Sequence, residues 1–230
     1  MSNTFYTADP HFGHANIILY SKRPFYEDED TVHDSRRGLS WANKDIAQVR
    51  VTEMDQTIIK NWNSVVGPKD EVWVLGDFCF GDIYFAKEIL LELNGFIKFI
   101  FGNHDSTMRR LRTEMHYGME LTELRDKIRF EGELTKARIE GQDIVMCHYP
   151  LMTWEKKHHG TWMLHGHCHY NLPVTRVDSE YGKILDVALE GNNYRPYAHE
   201  EIAMIMDRRP IMPSLVEFQD HHTPSRKKNG

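Results

Sequence analysis

Two apolar runs fix most of what this chain can become. Glu71-Val72-Trp73-Val74-Leu75 and Phe96-Ile97-Lys98-Phe99-Ile100-Phe101 are too short for buried helices and too apolar for loops, so they read as buried strands. Between them, Gly81-Asp82 opens a helical stretch to Leu93, with Asp82 at the N-cap and Gly95 as the stop. Strand, helix, strand over that length is a βαβ unit, which demands parallel pairing and helices covering the sheet. Each run also empties into a glycine followed by polar residues: Gly76-Asp77 after the first, Gly102-Asn103-His104-Asp105 after the second. Open α/β sheets carry ligand sites at such carboxyl ends.

The rest of the chain repeats this motif. Asn3 to Thr7 reads as a first strand and runs into Asp9-Pro10-His11. Pro10 holds that loop extended, so the two flanking side chains can converge on one ion. A short helix, Ala15 to Tyr20, follows. Residues 27–50 are acidic and polar and read as a surface insertion, with a flap as one form it could take. Met54 to Val65 is a helix whose apolar face carries Ile58, Ile59 and Trp62, and Met108 to Tyr117 is another. The rhythm then changes to strand–turn–strand. A hairpin, Leu134 to Ile139 and Asp143 to Cys147, ends at His148-Tyr149-Pro150. Thr161 to Leu164 ends in His165-Gly166-His167-Cys168-His169. Arg176 to Leu189 reads as a further hairpin and Ala198 to Met206 as a terminal helix. The domain is expected over 1–210 and a loose tail over 211–230.

Composition narrows the function classes. The 230 residues carry a formal charge of −6, which argues against a broad basic footprint for duplex nucleic acid. No apolar run approaches the ~20 residues of a membrane span, and Met1-Ser2-Asn3-Thr4 is not the start of a signal peptide. A cytoplasmic protein without a membrane partner is expected. Three cysteines, Cys79, Cys147 and Cys168, argue against a disulfide framework and lack the C-x-x-C spacing of thiolate ligation. Fourteen histidines are many for this length, and they fall in D-x-H, N-H-D and H-x-H arrangements beside Gly or Pro, as metal ligands on loops do.

Five strand ends therefore carry polar side chains: Asp9 with His11, Asp77, Asn103 with His104, His148, and His167 with His169. A purely structural account would need each buried imidazole and carboxylate to find its own partner. The pattern resembles the calcineurin-like metallophosphoesterase family, whose signature is D-x-H, G-D, G-N-H-D/E, H and G-H-x-H in that order. All five blocks are present, from Asp9-Pro10-His11 to Gly166-His167-Cys168-His169. The stretches Asp9 to Ile18, Arg23-Pro24-Phe25, Met54 to Val65 and Asn193-Tyr194-Arg195-Pro196 look like the small single-domain members found in phages and bacteria, and 27–50 is longer than usual for them.

The resemblance implies a four-layer α/β/β/α sandwich of two mixed sheets flanked by helices. It also implies two divalent metal ions, one held by Asp9, His11, Asp77 and His169, the other by Asp77, Asn103, His148 and His167. Asp77 bridges. The oxygen and nitrogen donor set suits Mn, Fe or Zn. The implied activity is phosphoester hydrolysis by a metal-bridging hydroxide, favoured as a phosphodiesterase on nucleotide or nucleic-acid-derived substrates. His104 would donate a proton or a hydrogen bond to the leaving group, oriented by Asp105. Two other readings stand: a phosphomonoesterase or protein phosphatase, and a non-catalytic scaffold of the same fold. His14 either touches phosphate or serves in helix capping or packing. Arg23 and Arg195 either clamp a phosphate or make ordinary ion pairs. Tyr149 is a candidate pocket wall, and His165 either supports the ligands from behind or is a packing residue. The sequence leaves the oligomeric state open.

Overall fold

The computed structural model describes residues 2–35, 38–117 and 121–213. The strands are β1 Thr4–Thr7, β2 Thr31–Asp34, β3 Gly38–Trp41, β4 Glu71–Leu75, β5 Phe96–Ile100, β6 Ile128–Gly132, β7 Leu134–Ile139, β8 Gln142–Cys147, β9 Trp162–His165, β10 Ile184–Asp186 and β11 Tyr197–Ala198. The helices are α1 Ala15–Tyr20, α2 Lys44–Val65, α3 Ile83–Glu92, α4 Ser106–Tyr117 and α5 His199–Asp207. The architecture is mixed α/β, with parallel and antiparallel pairing in both larger sheets.

The first sheet runs β11-β1-β4-β5-β6. The β1, β4, β5 and β6 strands are parallel and β11 is antiparallel to β1. The expected βαβ unit is β4-α3-β5, and Asp82 caps α3 by accepting the N–H groups of Tyr84 and Phe85. The second sheet runs β10-β9-β8-β7, with β10, β9 and β8 parallel and β7 antiparallel to β8.

Strand alternation sorts the apolar residues into two faces. One face of the first sheet, including Val72, Val74, Ile97 and Phe99, packs with Ile18, Met54, Ile58, Trp62, Leu90 and Leu111 from the helices. Its other face, Tyr6, Trp73, Leu75 and Ile100, meets Ile144, Met146, Leu164 and Leu185 of the second sheet. The outer face of the second sheet, Val145, Met163 and Ile184, is covered by Trp154 and Leu151 from the segment after β8. Helix α5 places Ile202 and Met206 in the core between the sheets.

Three expectations need correction. The helix expected from Met54 begins at Lys44, where the Asn43 side chain accepts the N–H of Ile46 as its N-cap. Its first turns are largely exposed, with Val51 the first residue to reach the core. Residues 27–50 are therefore partly helix, and the β2–β3 hairpin within them packs on α1 and α2. Arg50 anchors it through Asp30 at 2.7 Å. The hairpin expected over 176–189 does not form: Ile184–Asp186 pairs in parallel with Met163–His165. The expected tail lies outside the described residues from 214 onward. No helix among the described residues is long and apolar enough to cross a membrane.

Candidate metal centre

Strand register gathers the five polar strand ends. In the parallel sheet Thr7 lies opposite Val74, and Leu75 opposite Ile100, so the loops after β1, β4 and β5 leave the same edge at the same level. In the second sheet Met146 lies opposite Leu164, and Gly166 N–H donates to the His148 carbonyl at 3.0 Å, which brings the loops after β8 and β9 together. Ala8 N–H donates to the Val187 carbonyl at 3.1 Å and ties the two sheets at that edge.

The donor atoms then converge. His11 Nε2 is 3.8 Å from Asp9 Oδ1 and 3.7 Å from Asp77 Oδ2. His169 Nε2 is 3.9 Å from Asp9 Oδ1, and His148 Nε2 is 3.4 Å from Asp77 Oδ2. Asn103 Oδ1 is 2.9 Å from His148 Nε2 and 3.1 Å from His167 Nδ1. Asp9, His11 and His169 offer atoms within 4.8 Å of one another, as do Asp9, Asp77 and His148. All seven expected ligands thus stand in one cluster. His165, Cys168 and Asp186 form a neighbouring group of the same kind.

Chemistry shows what this cluster could hold. His148 Nδ1 donates to the Leu75 carbonyl at 2.8 Å, so in the neutral ring Nε2 carries a lone pair. That lone pair faces the carboxylate of Asp77 and the amide oxygen of Asn103, both acceptors. Asp9 Oδ1 and His11 Nε2 are buried with no hydrogen-bond partner. Such orphaned atoms cost about 1–3 kcal/mol each when nothing compensates them. A divalent cation satisfies acceptors and imidazole lone pairs together, and the donor set of N and O fits one.

The electrostatics agree. Burial, then the charges of Asp186, Glu190 and Asp77, pushes Asp9 well above the usual carboxylate range. Burial, then Arg23 and the neighbouring histidines, drives His11 far below its ordinary value and keeps it neutral, which is the ligand form. Burial alone would raise Asp77, but the hydrogen bond and charge of His148 outweigh it and hold the carboxyl low. His148 is raised in turn, Asp77 outweighing burial. A cation at this place would compete with a proton for His148 Nε2.

Backbone strain is concentrated here. Asp9, His11, Asp77, His167 and His169 all adopt the left-handed region, with φ of 56°, 53°, 56°, 69° and 47°. That conformation costs a residue with a Cβ about 1–2 kcal/mol. Five expected ligands share it, and such clustering marks functional sites. The adjoining glycines are required by crowding: a Cβ on Gly76 would come within 2.5 Å of Gly102 N, one on Gly102 would strike Asp77 Oδ1, and one on Gly166 would strike Asp9 Oδ2.

Asp105 is the first correction among the site residues. It does not face the His104 ring. Its carboxylate accepts the N–H groups of Asp77 and Phe78 at 2.8 Å each and of Gly102 at 2.6 Å. Asp105 locks the two loops together. His104 is exposed, its ring 5.3 Å from Phe80 and 6.0 Å from His11. His14 stacks on Phe80 at 3.9 Å, with Nδ1 3.4 Å from His11 Nδ1, and burial lowers it to about 4.

Both arginines are found in ion pairs, and only Arg23 is sealed from any ligand. Arg23 is fully buried and donates to Glu190 Oε1, to the carbonyls of Asp9 and Pro10, and to Met54 Sδ. Arg195 makes a two-pronged pair with Glu201 at 2.6 and 3.0 Å. Arg23 closes on ordinary pairing because its Nε, Nη1 and Nη2 are all engaged, and Arg195 is held in its pair with Glu201.

Sequence reasoning missed three carboxylates. Glu190 Oε1 lies 3.0 Å from His169 Nδ1 and orients that ring; burial would raise Glu190, but Arg23 and His169 outweigh it and bring it down to about 2. Asp186 accepts the N–H groups of Tyr170 and Ala188, fixing the loop after His169. Asp55 accepts the Gly13 N–H through both oxygens, at 2.9 and 3.2 Å. Asp186 ends a buried strand and Glu190 follows it at the same sheet edge, the signal the other site residues carry.

No protein-family model matches the chain. It is 28% identical over 221 residues to an uncharacterized protein of Methanocaldococcus jannaschii, across 95% of this chain and 99% of that one. It is 26% identical over 194 residues to the gene 66 protein of Mycobacterium phage L5, across 76% of this chain and 82% of the phage protein. In fold it is similar to a protein of unknown function from Aquifex aeolicus, with a TM-score of 0.52, 20% identity, and coverage of 89% of this chain and 100% of that one.

Proposed function

We propose that this chain is a calcineurin-like metallophosphoesterase that hydrolyses phosphodiesters of nucleotide or nucleic-acid origin. The two stacked mixed sheets, with helices on the outer face of the first, are read as the sandwich of that family. One observation carries the reading: seven N and O donors from five separate loops converge, with Asp9 Oδ1 and His11 Nε2 buried and partnerless.

One ion would be held by Asp9, His11, Asp77 and His169, the other by Asp77, Asn103, His148 and His167. Two divalent cations in such a site supply Lewis acidity and a nucleophile drawn from water near neutral pH. The chain supplies the rest. Asp77 presents Oδ2 to imidazoles on both sides, while its Oδ1 accepts the His104 N–H at 2.8 Å. That bond sets the backbone of His104, whose exposed ring stands at the rim of the cluster and can protonate a departing oxygen. Glu190, clamped by Arg23, orients His169; Asp105 and Asp55 hold the loops.

Metal analysis joined to turnover tests this. Purified chain stripped with chelator and reloaded with Mn²⁺ is expected to bind two ions and to hydrolyse bis-p-nitrophenyl phosphate, and Asp77→Asn to lose both properties. Two bound ions without turnover on any phosphoester would favour a scaffold. Failure to bind metal at all would end the proposal.

A further inference from the structure

The metal cluster opens on one side into a pocket of about 330 Å³ that begins at Asn103. Its walls include Phe101, Arg109, Glu133, Leu134 and Tyr149. We infer that this pocket receives the substituent that stays on phosphorus, and that it fits a single, neutral, ring-bearing group such as one nucleoside. The inference rests on the phosphoesterase reading above and goes further by naming where and how the substrate is selected.

Position gives the first argument. Asn103 belongs to the cluster, so a group lying against it is joined to the phosphate by only a bond or two. The His104 ring turns instead toward Phe80 and His11. Tyr149 turns toward His148 and His167, with ring centroids 5.1 and 4.8 Å away. The leaving group and the retained group thus have separate places.

Size and surface give the second. The volume sits at the lower end of small-molecule sites, about 300–1,000 Å³, which admits one nucleoside and excludes a duplex. Tyr149 and Leu134 are large apolar side chains left 45% and 56% exposed at the rim. A base stacked there would cover them, and such stacking contributes about 1–3 kcal/mol per base.

Charge gives the third. Arg109 is the cation of the pocket, and it is already neutralised: Nη2 lies 2.9 Å from Glu133 Oε1, and the guanidinium sits over the Phe101 ring at 4.5 Å. A second phosphate on the retained group would meet Glu133, and the one cation that lines the pocket is already engaged with it. A neutral nucleoside meets no such penalty.

Two Mn²⁺-dependent substrates with the same leaving group separate the claims: thymidine 5′-(p-nitrophenyl phosphate) and methyl p-nitrophenyl phosphate. The full-length protein is expected to prefer the thymidine ester about tenfold or more in kcat/KM, mainly through KM. Leu134→Glu is expected to bring the ratio close to one. Glu133→Gln frees Arg109 and is expected to raise kcat/KM about tenfold for the thymidine ester carrying an added 3′-phosphate, which gives a gain of function that misfolding cannot mimic. Hydrolysis of both esters with no preference, or a preference untouched by either substitution, overturns the pocket and leaves the phosphoesterase reading standing. Hydrolysis of neither overturns that reading, and the pocket falls with it.

Discussion

The carboxylate of Asp105 accepts the backbone N–H of Asp77 at 2.8 Å and, through the same oxygen, that of Gly102 at 2.6 Å. Two loops from adjacent strands are thereby held at fixed separation, and Asp77 is carried into the centre of the cluster with its φ at 56°.

Asp105→Asn follows from this bond pattern. One amide NH₂ would face N–H donors in a site 1% exposed, leaving at least one buried donor unpaired. The expected loss is about 1–3 kcal/mol of stability together with weaker metal binding. Urea unfolding and Mn²⁺ titration check it. A change confined to kcat, with stability and metal affinity intact, would instead return Asp105 to orienting His104.

His104→Gln is expected to keep both metal ions and to lose about 10²–10⁴-fold in kcat on alkyl phosphodiesters. The loss should shrink on p-nitrophenyl esters, whose leaving group needs no proton. Metal content and paired kinetics on the two ester types are the measurements. Full activity on an alkyl diester would remove His104 from the mechanism.

Glu190→Gln keeps the shape and removes the charge that faces both Arg23 and His169. Loss of such an orienting carboxylate typically weakens metal binding about 10–100-fold. Mn²⁺ affinity is therefore expected to fall while kcat at saturating Mn²⁺ largely recovers. Equal losses in both would place Glu190 in the chemistry itself.

Asp55 makes stability depend on pH. Burial raises its carboxyl to about 7, against an ordinary value of 3.8. Between those values the folded chain keeps a proton that the unfolded chain releases, so this contribution is full below pH 4 and declines as the pH rises to 7. Asp55→Asn still accepts the Gly13 N–H and does not titrate. The difference between the two unfolding curves is expected to change across pH 4–7 and to be flat above it; a constant difference throughout would refute the assignment.

Much of the fold was legible in the sequence because buried strands announce themselves locally. The β4-α3-β5 unit, the Asp82 cap and the β7–β8 hairpin follow from apolar runs, a capping carboxylate and a Glu-Gly turn. Elements held by distant partners were not legible. The first turns of α2 carry few buried apolar residues, and β10 pairs in parallel with β9 across a long connection instead of closing a local hairpin.

The sequence by itself determined which side chains lie at strand ends, and hence the seven N and O donors. Only the tertiary structure decided which of them face one another, and what stands behind them. Register among the parallel strands of two mixed sheets brought the five loops to one edge, and burial gave Arg23 to Glu190 and Asp105 to three backbone N–H groups. The reason is that a hydrogen bond between residues far apart in the chain leaves no periodic trace in it. Local propensity can place a residue at a strand end, but the choice of partner belongs to the packed whole.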